Sequence, residues 1–440
     1  MSKHIVNIIG AGLAGSEAAY QLLTRGVEVH LYEMKPEKYS PAHKSKDFCE
    51  LVCSNSLKSD DVLTAGGLLK AELRKLNSLV IDCADKTKVP AGSALAVDRE
   101  KFSSMVTEKL KSFPNLHLHF GEVTAIPSDY PTIVATGPLT SDGLIDSLLK
   151  AVGSDNLYFF DAIAPIVAYD SIDFNIAYIK DRYDKGNGDY INCPFTKEEY
   201  IAFYNELING EIVKLKDFEN SKVFEGCMPV EVLAKRGEDS LRFGPLKPVG
   251  LRDPKTGVTP YAVVQLRKET NENDFYNIVG FQTNLVFKEQ KRIFRMIPGL
   301  QNVEFLRYGT MHKNTYISAP NILNKHFQCK NNENLFIAGQ ISGVEGYIES
   351  IASGLMAGIN MWCKLNQKDL IDFGKYTIMG ALSHYISSFN GGNFQPMSSN
   401  MGLINYGEIH CKDKKQKNKI LSDRSLEYID SIASTINVKE

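Results

Sequence analysis

The stretch from Ile5 to Glu33 limits what this chain can fold into more than any other part of it. Ile5–Ile9 is a β-branched apolar run, IVNII, that opens directly onto Gly10-Ala11-Gly12-Leu13-Ala14-Gly15. The spacing of Ala18, Ala19, Leu22 and Leu23 predicts a helix over Ser16–Thr24, ended by Gly26 in the place of a C-cap glycine. Val27–Tyr32 then alternates as VEVHLY and stops at Glu33. Strand, glycine turn, helix, strand and acid in this order describe a dinucleotide-binding unit. Gly10 permits the tight turn, Gly12 lets a pyrophosphate approach the backbone, and Gly15 lets the helix pack against the strand. The backbone N–H groups at the start of the helix, around Ala11, Leu13 and Ala14, face the diphosphate. Glu33 stands where a carboxylate accepts bonds from ribose hydroxyls, and an acid there favours FAD or NAD over a 2′-phosphorylated cofactor.

A second unit near the other end chooses between those two. Asn334–Gln340 reads NLFIAGQ, a buried strand ending in Gly339 and Gln340, followed by ISGVEGYIESIASGLMAGINMW. Its Gly343, Glu345, Gly346 and Tyr347 open another helix that can lie against a flavin and ribitol, an arrangement expected of a two-part FAD domain and not of a simple dehydrogenase. Small residues recur along that helix (Ser350, Ala352, Ser353, Gly354, Ala357, Gly358), as expected where a helix packs tightly on a sheet. Pro131–Gly137, PTIVATG, is a further strand-then-glycine unit. Between these ends, about Asp161 to Gln328, the chain turns rich in Tyr, Phe and Asn, with short strand-like runs such as YAVVQLR and YNIVGFQTN. The expected fold class is α/β, a two-part Rossmann-type FAD-binding domain (1–160 and 330–440) with an inserted mixed α+β domain (161–329).

Composition removes other classes. With 440 residues, 43% of them hydrophobic, the chain is long enough for two or three domains. Fifty Lys and Arg against 52 Asp and Glu exclude a polycation and an acidic disordered tail, yet leave room for a local basic patch that binds RNA. No stretch reaches the ~18 apolar residues of a membrane-spanning helix, and the glycine-interrupted N-terminus lacks a secretory h-region. The eight cysteines form no C-x-x-C pair, so neither a metal site nor a disulfide framework is expected, and a reducing cytoplasm is the natural compartment.

Blocks along nearly the whole chain resemble one known family. They include GAGLAGSEAAYQL, ELVCSNSLKS, VPAGSALAVDRE, YINCPFTKEEY, FEGCMPVEVLAKRGEDSLRFGPLKPVGL, FQTNLVFKEQKRIFRMIPGL, YGTMHKNTYI, LFIAGQISGVEGYIESIASG and NFQPMSSNMGL. In these the chain is similar to the folate- and FAD-dependent tRNA (uracil-5-)-methyltransferases, TrmFO. The resemblance implies FAD, NADPH or NADH to reduce it, and 5,10-methylenetetrahydrofolate as the carbon source. It also implies C5-methylation of an RNA uridine, in most of the family the T-loop uridine (position 54) of tRNA. The same chemistry on a uridine of 23S rRNA, known for some mollicute relatives, is the alternative that the Lys-, Asn- and Ile-rich style invites. A small-molecule NAD(P)H flavin oxidoreductase is the competing enzyme class.

The implied chemistry asks for thiols. Uracil C5 becomes nucleophilic only after addition at C6, and a base must later remove the C5 proton. Cys227 lies in a glycine–proline turn near Lys235 and Arg236, an electropositive setting that favours a thiolate. The resemblance makes Cys227 the uracil nucleophile and Cys53 the second thiol, as general base or partner close to the flavin. The other cysteines, Cys49 included, are expected to be small buried hydrophobes. For the folate, Tyr347 and Phe287 are the candidate stacking rings and His312 and Asn314 the polar partners, with Phe287 standing where relatives commonly carry Trp. Lys235-Arg236, Lys288–Arg295 and Lys412–Lys419 are candidate phosphate contacts.

Overall fold

The computed structural model describes residues 4–153, 156–162, 164–184, 188–213, 228–268, 275–309, 311–390, 394, 396–405, 407, 409, 411 and 413–436. The IVNII run forms the strand Ile5–Ile9, and it lies in the middle of a six-stranded sheet. The order across the sheet is Gln328–Cys329, Asn332–Ile337, Thr132–Val134, Ile5–Ile9, Glu28–Glu33, Leu116–Phe120. Every pairing is parallel except that of the first two strands. A central parallel strand is covered on both faces, which is why Val6, Ile8 and Ile9 are all buried while the neighbouring Glu28–Glu33 strand, next to the edge, alternates half-exposed and buried. Asn332–Ile337 comes from the far end of the chain, so the two sequence units close one sheet, the Rossmann-type arrangement expected.

The first helix is Leu13–Leu23, beginning three residues before the apolar spacing predicts. Gly12 is its N-cap, so the second half of the glycine motif is already helical. The second helix, Tyr347–Leu365, lies against the first at backbone distance. A Cβ on Gly354 would come 2.2 Å from the Ala14 carbonyl oxygen, and one on Gly358 would come 2.9 Å from that of Ala18. The run of small residues therefore serves helix-on-helix contact more than the helix-on-sheet contact expected. Leu22, Ile351 and Leu355, fully buried here, each contribute about 1.5–3 kcal/mol.

A second, antiparallel sheet carries its own core. Its order is Tyr178–Ile179, Tyr190–Phe195, Ala262–Lys268, Phe275–Ile278, Ile166–Ala168, Phe305–Arg307. Helix Lys197–Asn209, started by a capping box of Thr196 and Glu199, packs Tyr200, Phe203 and Leu207 into that core. This is the mixed α+β character expected of the middle segment. The predicted strand YNIVGFQTN ends early, at Ile278, two residues before Gly280 turns at φ +79°. An antiparallel pair, Asn156–Ala162 with Met311–Ile317, stands where the chain leaves and re-enters. Among the described residues no helix is long and apolar enough to cross a membrane.

Candidate dinucleotide cleft and thiol loop

Four parallel strands end side by side, and their ends make the cleft. Gly10 N–H donates to the Tyr32 carbonyl, Ala135 N–H to that of Ile9, and Ala338 N–H to that of Val134. The cleft that opens there is lined by Gly10, Ala11, Gly12, Leu13, Ala14, Glu33, Cys53, Gly339, Gln340 and Tyr347 among others. The turn needs its glycines. Gly10 has φ +98°, and a Cβ on Gly15 would fall 1.8 Å from the Gly10 carbonyl oxygen. On Gly12, by contrast, a Cβ would meet no protein atom within 4 Å. That open side is where a pyrophosphate fits against the backbone and the start of the helix.

Glu33 is buried, and its two carboxylate oxygens are shared out. Oε2 accepts the Ala11 N–H at 2.9 Å and Oε1 the Lys35 N–H at 3.0 Å. Each oxygen keeps a second lone pair, so the carboxylate both fixes the glycine turn and retains capacity for ribose hydroxyls. The donor set and the glycine geometry thus fit a flavin dinucleotide. The opposite wall comes from Gly121–Val123 and Thr136–Ser141, where Thr136 and Thr140 share a hydroxyl hydrogen bond of 2.7 Å. The PTIVATG signal locates part of that wall; nothing in the sequence marks Gly121–Val123.

Cys53 reaches the same cleft on a loop that is held at several points. Cys49 N–H donates to the Ala11 carbonyl at the loop's start. The Arg99 guanidinium donates to the Leu51 carbonyl at 2.6 Å. The Tyr347 hydroxyl oxygen accepts the N–H groups of Cys53 at 2.8 Å and Ser54 at 3.2 Å. Burial, with the Cys53 thiol beside it, pushes the Tyr347 phenol above its ordinary range, so it remains a neutral hydroxyl. From the second sheet, Arg267 donates to Asn55 Oδ1 at 3.1 Å and Ser54 Oγ at 2.7 Å. Asn55 in turn donates to the carbonyls of Val97 and Lys268. Both sheets therefore grip the loop that carries the thiol. Cys49, four residues earlier, is buried, and burial pushes its thiol up to about 12. It matches the inert buried cysteine expected of it.

Other expected site residues lie elsewhere. Gly15 packs under the turn without lining the cleft. Gly343 and Gly346 shape the entry to the second helix at φ +90° and +117°, and the Glu345 carboxylate accepts the Gln340 amide at 2.7 Å. Phe287 does not line the cleft. It is 55% exposed at the start of helix Phe287–Phe294 and stacks on Tyr308, ring centroids 4.9 Å apart, which stacks in turn on Phe305. His312 and Asn314 sit on the Met311–Ile317 strand, in register with Asp161 and Phe159; their side chains lie outside the described residues. Cys227 also lies outside the described residues.

Comparison with known proteins agrees with this geometry. The family model described as "Glucose inhibited division protein A" matches residues 5–369. A "Methylenetetrahydrofolate--tRNA-(uracil-5-)-methyltransferase TrmFO" of Lactobacillus gasseri is 54% identical over 426 residues, 97% of each chain. Its namesake from Acetivibrio thermocellus is 54% identical over 429 residues, 98% of each chain. Among solved structures, the form II crystal of Aquifex aeolicus GidA superposes with a TM-score of 0.72 at 16% identity, covering 100% of this chain and 74% of that one, which shows a common fold. The chain belongs to the glucose inhibited division protein A family and, within it, to the TrmFO proteins.

Proposed function

We propose that this protein is a flavin- and folate-dependent RNA methyltransferase that places a methyl group on C5 of a tRNA uridine, at the T-loop position. In this reading FAD fills the cleft, NADPH or NADH reduces it, and 5,10-methylenetetrahydrofolate supplies the carbon. The domain division would be 1–160 with 330–440 for the cofactor and 161–329 for the inserted part. The observation that carries the reading is the thiol loop. A cleft built for a dinucleotide has Cys53 in its wall, held by Tyr347 at the start of its helix and, through the adjoining Ser54, by Arg267 of the antiparallel sheet. A small-molecule flavin reductase has no need of such a thiol.

When bound, the flavin supplies redox equivalents and a path for the one-carbon unit. The chain's own residues do the rest. Gly10–Gly15 and Glu33 would orient the dinucleotide, with the first helix's N–H groups on the diphosphate. Tyr347 holds the Cys53 backbone so that the sulfur stays at the cleft, where it would act as base on the C5 proton. Cys227, by the family resemblance, would add to C6.

The test is direct. Purified protein supplied with NADPH, isotope-labelled 5,10-methylenetetrahydrofolate and unmodified tRNA should yield labelled 5-methyluridine at position 54, mapped by nuclease digestion and mass spectrometry. Label arriving from S-adenosylmethionine, or product in 23S rRNA and none in tRNA, would overturn the donor or the target respectively.

A further inference from the structure

We propose that the half-exposed face at the edge of the six-stranded sheet carries a site for a divalent transition-metal ion of the Zn²⁺ class, with Glu28, His30 and His117 as ligands and His119 orienting His30. The pairing of Glu28–Glu33 with Leu116–Phe120 is parallel and sets His30 opposite His117 and Tyr32 opposite His119. Side chains two apart on a strand share a face. Glu28, His30, His117 and His119 therefore gather on one side of two neighbouring strands.

The distances suit a metal. One ligand atom from each of Glu28, His30 and His117 lies within 4.8 Å of the other two. Glu28 Oε1 and His117 Nε2 are 3.0 Å apart, and His30 Nδ1 and His119 Nε2 are 3.3 Å apart. Two ligands bound at about 2.0–2.1 Å with tetrahedral angles stand about 3.3 Å from each other. Small rotations of rings that already contact one another, with centroids 5.0 Å apart for His30–His117 and His30–His119, would close the set. Two imidazoles and a carboxylate with a fourth position open to water form a donor set that Zn²⁺ accepts, whereas a hard cation such as Mg²⁺ prefers oxygen alone.

The surroundings agree. The His117 side chain is 46% exposed, which gives an ion a way in. His119, stacked flat on Tyr32 with centroids 4.6 Å apart, serves as the outer partner that fixes a ligand ring. Glu28, His30 and His117 do not line the dinucleotide cleft; Tyr32 does, so one ring separates the two sites.

The experiment uses the full-length, flavin-loaded protein stripped with EDTA, with its thiols blocked by N-ethylmaleimide, and dialysed against Zn²⁺ at pH 7.5. One Zn²⁺ per chain is expected for the parent, with a melting temperature that rises with added Zn²⁺. His30→Ala/His117→Ala should abolish both effects, and His119→Ala should weaken binding about 10–100-fold. Should the double variant lose its flavin, His117→Ala alone, at the more exposed ligand, decides. Absence of Zn²⁺ from the parent, or equal binding by parent and His117→Ala, would overturn the site and mark the histidines as cross-strand packing.

Discussion

Replacing Tyr347 by phenylalanine removes one oxygen and keeps the ring, so it isolates the grip on the thiol loop. That oxygen accepts from Cys53 N–H at 2.8 Å and from Ser54 N–H at 3.2 Å. Without it, two partly buried amides lose their acceptor, and an unsatisfied donor costs about 1–3 kcal/mol. The Ser54 bond is at the long end of the range and contributes less than the Cys53 bond. A combined loss of about 2–3 kcal/mol follows. It falls on local opening of the loop, because Cys49, Asn55 and Arg267 still anchor its two ends. At about 1.4 kcal/mol per factor of ten, amide hydrogen exchange at positions 53 and 54 should quicken about 30- to 150-fold. Exchange elsewhere, flavin content and melting temperature should be nearly unchanged, while methyl transfer falls. Unchanged protection at those two amides in Y347F would refute the reasoning.

Three further outcomes are expected. Gly15→Ala should give insoluble or colourless protein, because its Cβ would need the space of the Gly10 carbonyl, and a yellow, soluble G15A variant contradicts this. Arg267→Ala should lower stability in urea by about 2–4 kcal/mol by removing two charge-assisted bonds, and Arg267→Lys should restore only part of it because the fork is lost; an R267A protein as stable as the parent counts against the tie. Glu72 accepts the N–H groups of Ile378 and Met379 and the Ser425 hydroxyl, and burial pushes its carboxyl up to about 7 from the ordinary 4.5. The folded chain then holds a proton that the unfolded chain releases, so the contribution is complete below about 4.5 and is lost as pH rises through about 7. The stability of the parent relative to E72Q should fall between pH 5 and pH 8, by up to about 3 kcal/mol; a flat or rising difference excludes the assignment.

What was legible in the sequence shares one property: the parts that act together are close along the chain. Gly10, Gly12, Gly15 and Glu33 form a unit within one strand–helix–strand turn, so spacing alone locates the cleft. The late NLFIAGQ strand is legible for the same reason. Where partners are remote, composition signals a kind of contact without naming what is contacted. Gly354 and Gly358 announce a close approach, but the sequence cannot say that it is made by Ala14 and Ala18. The Tyr347 hydroxyl meets an amide 294 residues away, and Arg267 meets Asn55 across 212. An aromatic ring after a glycine turn reads as a stacking surface; its polar tip turns out to hold a backbone. Phe287, read the same way, stacks on Tyr308 outside the cleft, because its helix belongs to the core of the second sheet.

These remote ties have a mechanical consequence. Cys49–Asn55 is bound at one end to the glycine turn and at the other to the antiparallel sheet, through Arg267 and the Lys268 carbonyl. Asn55 is fully buried and Arg267 nearly so, and a buried polar network that loses one member leaves the others unsatisfied. The second sheet therefore cannot shift against the first without breaking these bonds or dragging Ser54 with it. Ser54 adjoins Cys53, so the position of that residue in the cleft reports how the antiparallel sheet is seated. For a base on the C5 proton, the role proposed above for Cys53, that link ties the alignment of the thiol to the seat of the antiparallel sheet.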